Sequence, residues 1–269
     1  MSKGFVILAQ NTSDIDYVKC AEVLAHSIKQ CMPSASITLI SDDGSDSSVF
    51  DYVINLPYGD IDPTSSWKLM NDWQVYEASP YEYTIKLEAD MYVPRSIEHW
   101  WDILEHRDLV VATTIRNFKG EIATNRFYRQ FIDNNNLPDV YNAITYFKKS
   151  PFAKEFFDTV REIFTNWESY KQILKCNIDE LATTDWVYAL SCNIHGIEQT
   201  TLPVFTDMCM THMKQYINDL MTSDWTDELV YEILPDCLRI NTFVQLYPFH
   251  YHIKNFASKI EDAHALTRI

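Results

Sequence analysis

Short apolar runs alternate with segments of helical periodicity along the first part of the chain. The run at residues 4–9, GFVILA, is continuously apolar, as buried parallel strands are. Tyr17–Cys31 carries apolar residues at helical spacing and ends before Pro33, and Ser36–Ile40 is apolar again. Strand, helix and strand in this order predict a right-handed βαβ unit. We therefore expect an α/β fold built on a mostly parallel sheet flanked by helices.

The same patterns predict further elements along the chain. The further strands are Val53–Leu56, Tyr83–Leu87, Leu109–Thr113 and Tyr141–Phe147. The further helices are Trp67–Ala78, Ile97–Leu104, Pro151–Trp167 and Asp179–Cys192. We expect residues 1–215 to form the α/β domain and residues 216–269 to form a helical or irregular C-terminal cap packed on it.

Two carboxylates interrupt the apolar chain around the predicted strand Tyr83–Leu87. Glu88 and Asp90 follow this strand with only Ala89 between them, and apolar residues resume at Met91. Burying an unpaired carboxylate is strongly disfavoured, and a divalent cation such as Mg²⁺ or Mn²⁺ would compensate both charges. An edge strand whose alternate residues face water is an equally good explanation of the pair.

Polar side chains also follow other predicted strands. Asn11 comes after the first strand, and Asp42 and Asp43 come after the strand Ser36–Ile40. Open parallel sheets bind ligands beyond the carboxyl ends of their strands, so one crevice can collect these residues and the acidic pair. Turn formation and helix capping are the alternative roles of such side chains.

Composition excludes some classes of site. Hydrophobic residues make up 46% of the chain and aromatic residues 14%, which is typical of a globular protein. Glycine occurs only five times, and neither of the glycine-rich phosphate loops, GxGxxG or GxxxxGK[ST], is present. Any bound phosphate is therefore expected to be held by metal and by side chains.

Cysteine usage and hydropathy bear on the compartment. The six cysteines have no CxxC spacing, which favours reduced thiols over a disulfide framework or a zinc site. No apolar run approaches the length of a membrane-spanning helix, and no secretory signal pattern is present. These features predict a cytoplasmic protein without a transmembrane segment.

Charge is uneven along the chain, whose net charge is −16. In residues 112–131 the basic residues outnumber the acidic ones, of which Glu121 is the only one. Several aromatic residues are interleaved with them. The basic residues of this segment are Arg116, Lys119, Arg126 and Arg129. They could contact an anionic partner such as a nucleic acid. Arginines that snorkel from a surface helix, or that balance acids elsewhere, explain the segment as well.

The order of these motifs resembles that of nucleotide-sugar glycosyltransferases of the GT-A fold, over roughly residues 4–215. The resemblance rests on the first βαβ unit, on Glu88-Ala89-Asp90 in the place of an Asp-x-Asp motif, on the strand beginning Tyr141-Asn142-Ala143-Ile144 and on Thr211-His212-Met213-Lys214. The sequence departs from the family pattern at Glu88, which replaces Asp, and at Ile144, which replaces Gly. Its His-x-Lys spacing is also tighter than in the glycogenin-like branch.

The resemblance implies a donor, a metal and roles for particular residues. It implies a nucleoside-diphosphate sugar as donor and Mn²⁺ or Mg²⁺ bound by Glu88, Asp90 and His212. The residues expected to contact the donor are Asn11, Asp42, Asp43, Lys68, Lys86, Glu88 and Lys214. Asn142 would meet the acceptor, and Asp185 would take the proton of the acceptor hydroxyl if the reaction inverts the anomeric centre.

The resemblance says less about the acceptor than about the donor. The chain looks most similar to small glycosyltransferases of tailed phages, some of which add sugars to hydroxymethylcytosine in DNA. That likeness implies DNA as an acceptor, contacted by the basic segment, and the host cytoplasm as the location. A glycan, lipid or protein acceptor is the alternative within the same class.

Two other functional classes remain open at the level of sequence. A nucleotidyltransferase of related fold would also use carboxylates and a metal, although such enzymes usually begin with a glycine-rich loop. A non-catalytic protein with acidic and aromatic interaction surfaces is the third hypothesis.

Overall fold

The computed structural model describes residues 2–65, 68–175, 181–203, 208–234 and 237–266. The strands in chain order are β1 (Lys3–Leu8), β2 (Ile37–Ile40), β3 (Tyr52–Ile54), β4 (Tyr83–Glu88), β5 (Met91–Tyr92), β6 (Leu109–Ala112), β7 (Thr114–Arg116), β8 (Tyr141–Lys148), β9 (Cys209–His212), β10 (Tyr231–Leu234), β11 (Cys237–Ile240), β12 (Phe243–Val244) and β13 (Phe249–His250). The α-helices are α1 (Tyr17–Cys31), α2 (Val75–Ala78), α3 (Trp100–Leu104), α4 (Gln130–Asn134), α5 (Pro151–Thr165), α6 (Trp167–Lys171), α7 (Thr184–His195), α8 (Ile197–Thr200) and α9 (Phe256–Leu266).

The central sheet has six strands in the order β3-β2-β1-β4-β8-β6. The first four are mutually parallel, and β8 runs antiparallel to both β4 and β6. Because Leu87 of β4 pairs with Ile144 of β8, the amino end of β8 lies beside the carboxyl end of β4. Residues that begin β8 therefore lie at the same sheet edge as residues that follow β1 and β4.

The first βαβ unit forms as the sequence predicts. β1 buries four successive residues between the layers, and α1 begins where the Asp16 side chain accepts a hydrogen bond from the Lys19 backbone N–H at 2.9 Å. On the inner face of α1, Leu24 and Ile28 are fully buried in the core. Burial of each such side chain contributes about 1.5–3 kcal/mol, so packing fixes this helix on the sheet.

A second sheet joins distant parts of the chain in the order β5-β13-β9-β7. β13 pairs parallel with β9 and antiparallel with β5, which opposes His250 to His212 on one side and to Met91 on the other. The last fifty or so residues thus contribute to the sheet beside the acidic pair.

The segment expected to be a helical or irregular cap contains α9, and it also contains strands that the sequence did not predict. β10, β11 and β12 form a small antiparallel sheet. These strands have two to four residues each, too few to show a clear alternation of apolar and polar positions. The division at residue 215 stays a prediction.

Four helix predictions differ from the structure in their bounds, the least of them at α5, which ends at Thr165 and not at Trp167. The segment predicted as helix 67–78 is a 3-10 helix at Lys68–Gln74 followed by the one-turn α2. The helix predicted from Ile97 begins only at Trp100. α7 begins at Thr184 because the Thr183 hydroxyl accepts from the Trp186 backbone N–H at 3.4 Å, and it continues to His195. Trp67, Asp179 and Glu180 lie outside the described residues.

Within the part of the chain that the structure describes, no helix combines the length and apolar character needed to cross a membrane. The cysteines in this part of the chain form no disulfide, and Cys176 lies outside it.

Candidate active site

A cleft of about 560 Å³ opens over the carboxyl ends of β1 and β4. Gln10 lines it just after β1, Glu88 and Asp90 line it at the end of β4, and Asp185 lines it from the first turn of α7. His250, His252 and Lys254 enter from the C-terminal segment. The cleft collects charged side chains at the sheet edge where parallel α/β sheets bind ligands.

Glu88, Asp90 and His250 form a compact group whose ligand atoms all lie within 4.8 Å of one another. The His250 Nε2 lies 2.8 Å from Asp90 Oδ2 and 3.6 Å from Glu88 Oε2. Because an ionised carboxylate only accepts, Nε2 carries the proton of its hydrogen bond to Asp90. Lys254 also donates to Asp90 Oδ2. Two donors thus converge on one oxygen of Asp90.

The charges of this group are strongly perturbed by their surroundings. Burial raises the pKa of Glu88, and the neighbouring His250 offsets only part of that effect. Burial also acts to raise the pKa of Asp90, but attraction to His250 and Lys254 outweighs it and holds this pKa well below its usual value. Burial acts to lower the pKa of Lys254, while Asp90 raises it with a larger net effect. Asp90 and Lys254 are therefore a charged pair at the centre of the cleft.

His212, which the sequence predicts as a metal ligand, lines the cleft beside the compact acidic group but is not one of its three members. The rings of His212 and His250 are 4.5 Å apart, because the two residues are register partners on β9 and β13. Burial, reinforced by His250, lowers the pKa of His212 well below its usual value. The structure thus offers His250 as a further candidate ligand, and the role of His212 stays a prediction.

His252 has an unusual backbone conformation. Its φ of 65° lies in the left-handed region, which costs a residue with a side chain about 1–2 kcal/mol. This turn lets the Lys254 ammonium donate back to the His252 carbonyl at 2.9 Å while it also reaches Asp90. Burial and the neighbouring His250 lower the pKa of His252 to about 3. The strained backbone at His252 is thus part of the turn that holds the Lys254 ammonium in the cleft.

The residues of the group fit a divalent cation. Two carboxylates and one imidazole are ligands that Mn²⁺ accepts, and Mg²⁺ binds the carboxylates. The Nδ1 atoms of His250 and His212 are buried without a hydrogen-bond partner, so this corner of the cleft holds polar atoms that the protein leaves unsatisfied. We take Glu88, Asp90 and His250 as the residues that would hold the metal.

A buried polar network forms the floor of the cleft. The Lys86 ammonium lies 2.7 Å from Asp72 Oδ1 and donates to the Asn142 carbonyl at 3.3 Å. Asp72 Oδ2 accepts from Asn142 Nδ2 at 3.1 Å and from the Tyr188 hydroxyl. Lys86 is 1% exposed and Asn142 0% exposed. Lys86 and Asp72 line the cleft, whereas Asn142 does not and reaches it only through its contacts with them.

Asp185 is held in one orientation by two donors. The Arg129 Nη1 donates to Asp185 Oδ2 at 2.8 Å, and the Asn142 backbone N–H donates to Asp185 Oδ1 at 3.0 Å. Arg129 itself bonds Asp139 at 2.7 Å and stacks over the Tyr141 ring at 4.3 Å. Asn142 thus connects Asp185 to the network on the cleft floor.

The lysines predicted to contact the donor lie at the cleft, whereas Asn11, Asp42 and Asp43 do not line it. Lys68, Lys86 and Lys214 all line it, and Lys68 also pairs with Asp60 at 2.7 Å. Asn11 Oδ1 instead accepts from the Val18 N–H at 3.0 Å at the start of α1. Its own N–H donates to Asp43 at 2.7 Å, and Asp42 accepts from the Leu56 N–H at 2.9 Å. The turn-forming and capping roles describe Asn11, Asp42 and Asp43.

The basic segment does not form an open cationic surface. Arg129 is 2% exposed, and Arg126 pairs with Asp133 and Asp139. Arg116 donates to the Gly120 carbonyl at 2.8 Å, and Lys119 is exposed beside the Phe118 ring. For Arg126 and Arg129 the geometry favours the alternative interpretation, arginines that balance nearby acids.

Several residues of the cleft were not assigned from the sequence. They are Gln10, Tyr17, Asp72, His250, His252 and Lys254. A usable signal was present for two of them, because His252 and Lys254 repeat the His-x-Lys spacing of His212 and Lys214. For Asp72, whose carboxylate is matched to Lys86 only in space, we find no signal in the sequence.

Comparison with solved structures establishes the fold. The chain superposes on an active-site mutant of LgtC with a TM-score of 0.57 and 11% identity, covering 97% of this chain and 95% of that one. It superposes on the apo form of mouse xyloside xylosyltransferase 1 with a TM-score of 0.51 and 9% identity, covering 84% and 92%. No protein-family model matches the sequence, and no curated protein matches it. The expectation of an α/β GT-A fold is confirmed.

Proposed function

We propose that the protein is a metal-dependent glycosyltransferase that moves a sugar from a nucleoside-diphosphate donor to an acceptor hydroxyl. The observation that carries the proposal is the group of Glu88, Asp90 and His250 at the carboxyl end of β4, with Lys254 beside it. The fold neighbours support it, since LgtC is named a galactosyltransferase and the mouse protein a xylosyltransferase.

The cleft residues match the charges that such a transfer develops. Breaking the bond between the anomeric carbon and the diphosphate leaves negative charge on the leaving group. A divalent cation, when bound, supplies Lewis-acid stabilisation of that charge. Lys254 and Lys214 line the cleft as further cations for phosphate oxygens, in a chain without glycine-rich phosphate loops.

Asp185 is our candidate for the carboxylate that handles the acceptor proton if the reaction inverts the anomeric centre. Its two hydrogen bonds fix the carboxylate at the edge of the cleft, and a fixed orientation is what proton transfer requires. Lys86 and Lys68 remain candidates for donor contacts from the cleft floor and from the 3-10 helix.

For the acceptor, we favour a glycan over hydroxymethylated phage DNA. Of the four basic residues predicted to contact DNA, Arg126 and Arg129 form ion pairs with nearby aspartates. The net charge of −16 also opposes binding to a polyanion. A nucleotidyltransferase activity gains no support, because β1 leads into Gln10-Asn11-Thr12 without a glycine-rich loop. The cytoplasmic location stays a prediction.

Donor binding tests the proposal directly. We expect one class of nucleotide sugar to raise the melting temperature only together with Mn²⁺ or Mg²⁺, because a ligand that binds only the native state stabilises it. In Asp90→Asn the metal-dependent part of this shift should disappear, with turnover reduced at least a hundredfold. Asp102→Asn, an exposed site on α3, is the matched control and should behave like the wild type.

A wild-type protein that shows no shift with any nucleotide sugar and metal would favour a non-catalytic binding protein instead. Full turnover in Asp90→Asn would remove the metal group from the mechanism.

A further inference from the structure

A second cavity, of about 510 Å³, adjoins the cleft. The two share a wall formed by Leu69, Thr183 and Trp186. A reaction that joins two substrates needs space for both, and pockets that bind small molecules commonly measure about 300–1,000 Å³. The cleft of about 560 Å³ holds the group that we propose for the donor, so adjacent space is what the second substrate needs.

The cavity meets the cleft next to Asp185. Thr183 and Trp186, which line both spaces, lie two residues before and one residue after Asp185 in the chain. The Asp185 carboxylate accepts from the Asn142 backbone N–H at the start of β8. Leu69, the third shared residue, lies two residues before Asn71, whose side chain donates to Gln10 just after β1. The second cavity therefore adjoins the part of the cleft that holds Asp185.

The wall of the cavity is aromatic and well ordered by stacking. The Trp186 ring stacks on Phe131 at 4.1 Å between centroids with 20° between the planes. It also stacks with Trp167 at 6.2 Å and 29°. Phe164, Met70 and Leu181 extend this apolar lining. A rigid aromatic surface of this kind binds flat or ring-shaped apolar faces.

The remaining lining is polar and acidic. Asp62, Ser65, Thr165 and Thr183 contribute oxygen atoms, together with Glu168, which pairs with Lys171 at 2.7 Å. Among the described residues that line the cavity there is no lysine or arginine. The carboxylates of Asp62 and Glu168 disfavour a phosphate-rich ligand, and the side-chain oxygens offer hydrogen-bond partners that an alkyl chain does not use. A sugar ring has both an apolar C–H face and a rim of hydroxyls.

We propose that this cavity is the acceptor site and that it takes the terminal ring of an uncharged saccharide. The inference rests on the proposed function, because it assigns the second substrate of that reaction. The acceptor hydroxyl oxygen forms the new bond to the anomeric carbon, and the bond from that carbon to the diphosphate oxygen breaks. The bonding electrons leave with the nucleoside diphosphate, and the hydroxyl proton passes to Asp185 and then to solvent.

The test separates acceptor use from donor use. Donor turnover is measured with water as acceptor, and transfer is measured with a panel of neutral p-nitrophenyl hexosides, with octanol and with hydroxymethylated duplex DNA. Leu181→Arg places a cation and added volume in the cavity, at a residue that is 71% exposed and so tolerates the change in folding. Ile173→Arg is the matched control, since Ile173 is 79% exposed and lines neither cavity.

We expect at least one p-nitrophenyl hexoside to be the preferred acceptor. Leu181→Arg should raise its KM at least tenfold while hydrolysis of the donor stays within twofold of the wild type. Ile173→Arg should change neither quantity.

Two results overturn the inference alone, with donor hydrolysis intact. One is an unchanged acceptor KM in Leu181→Arg, and the other is a preference for octanol or DNA over every hexoside. If the wild type neither hydrolyses nor binds any nucleotide sugar, the proposed function is wrong and this inference falls with it.

Discussion

At the scale of single residues, the ion pair between Lys86 and Asp72 is the most constrained contact in the cleft. Lys86 is 1% exposed, and its ammonium lies 2.7 Å from the Asp72 carboxylate. Such a pair contributes little relative to an apolar replacement, but removal of one partner leaves an uncompensated buried charge. The network therefore maintains the shape of the cleft floor only as long as it is complete.

Asp72→Asn should lower the free energy of unfolding by about 3 kcal/mol, because the Lys86 ammonium loses its counter-charge. Urea denaturation at pH 7 measures the change. The double variant Asp72→Asn with Lys86→Met should recover most of the loss, since no buried charge remains. Asp158→Asn, in a surface pair with Lys154, is the control and should change stability by less than about 1 kcal/mol. Equal stability of Asp72→Asn and the wild type would contradict this account.

The residue scale is also where prediction from sequence was least complete. Glu88 and Asp90 could be identified because charge between two apolar runs is visible in one dimension. His250 could not be chosen over His212, because the two are register partners on adjacent strands and only the pairing of β13 with β5 brings His250 to Asp90. Which of the two histidines lies within reach of both carboxylates is decided by tertiary register, which the sequence does not show.

At the scale of elements, Asp51 joins β2 to α1. Its Oδ2 accepts from the Ile37 backbone N–H at 2.8 Å and from the Lys29 ammonium at 2.9 Å. Burial acts to raise the pKa of Asp51, but these hydrogen bonds prevail and lower it. A carboxyl whose folded pKa is depressed stabilises the fold above its unfolded pKa, about 3.9, and loses that contribution as pH falls through the folded value.

Asp51→Asn should therefore be less stable than the wild type at pH 7, by about 1 kcal/mol or less because the side chain is 39% exposed. The difference should shrink as the pH falls below about 4, where the carboxyl of the unfolded wild type becomes protonated, and it should vanish below the lower folded pKa. Urea denaturation of both proteins between pH 7 and pH 3 measures it. A difference that stays constant down to pH 3 would show that the Asp51 charge does not stabilise this junction.

Prediction of elements succeeded where periodicity is long. α1 and α5 have fifteen residues each, and the predicted bounds of α1 match the structure. β5, β12 and β13 have two residues each, so no alternation exists to be read from them. Their conformation comes from pairing with partners distant in sequence, which is why the strands of the C-terminal segment were missed.

At the scale of the whole molecule, the net charge of −16 opposes compaction. Salt shortens the range of the repulsion, from about 30 Å at 0.01 M ionic strength to about 8 Å at 0.15 M. We expect the melting temperature at pH 7.5 to rise by a few degrees between these two salt concentrations.

Calorimetry at both salt concentrations tests this expectation. The control is the same pair of measurements at a pH near 4.8, the pI calculated from the sequence, where the rise should be absent. A melting temperature that falls with salt at pH 7.5 would mean that attractive surface pairs outweigh net repulsion.

The contact between His250 and Asp90 joins residues 160 positions apart in the chain, and its consequence is kinetic. Closing a loop of that length is entropically unfavourable, and contacts of such separation form late in folding. The β1–α1–β2 unit is local and can form early. If the proposed metal site is correct, we expect metal binding during refolding to appear with the last phase, after the central sheet has assembled. A chain in which only this sheet had formed would still lack the contact that brings His250 to the acidic pair.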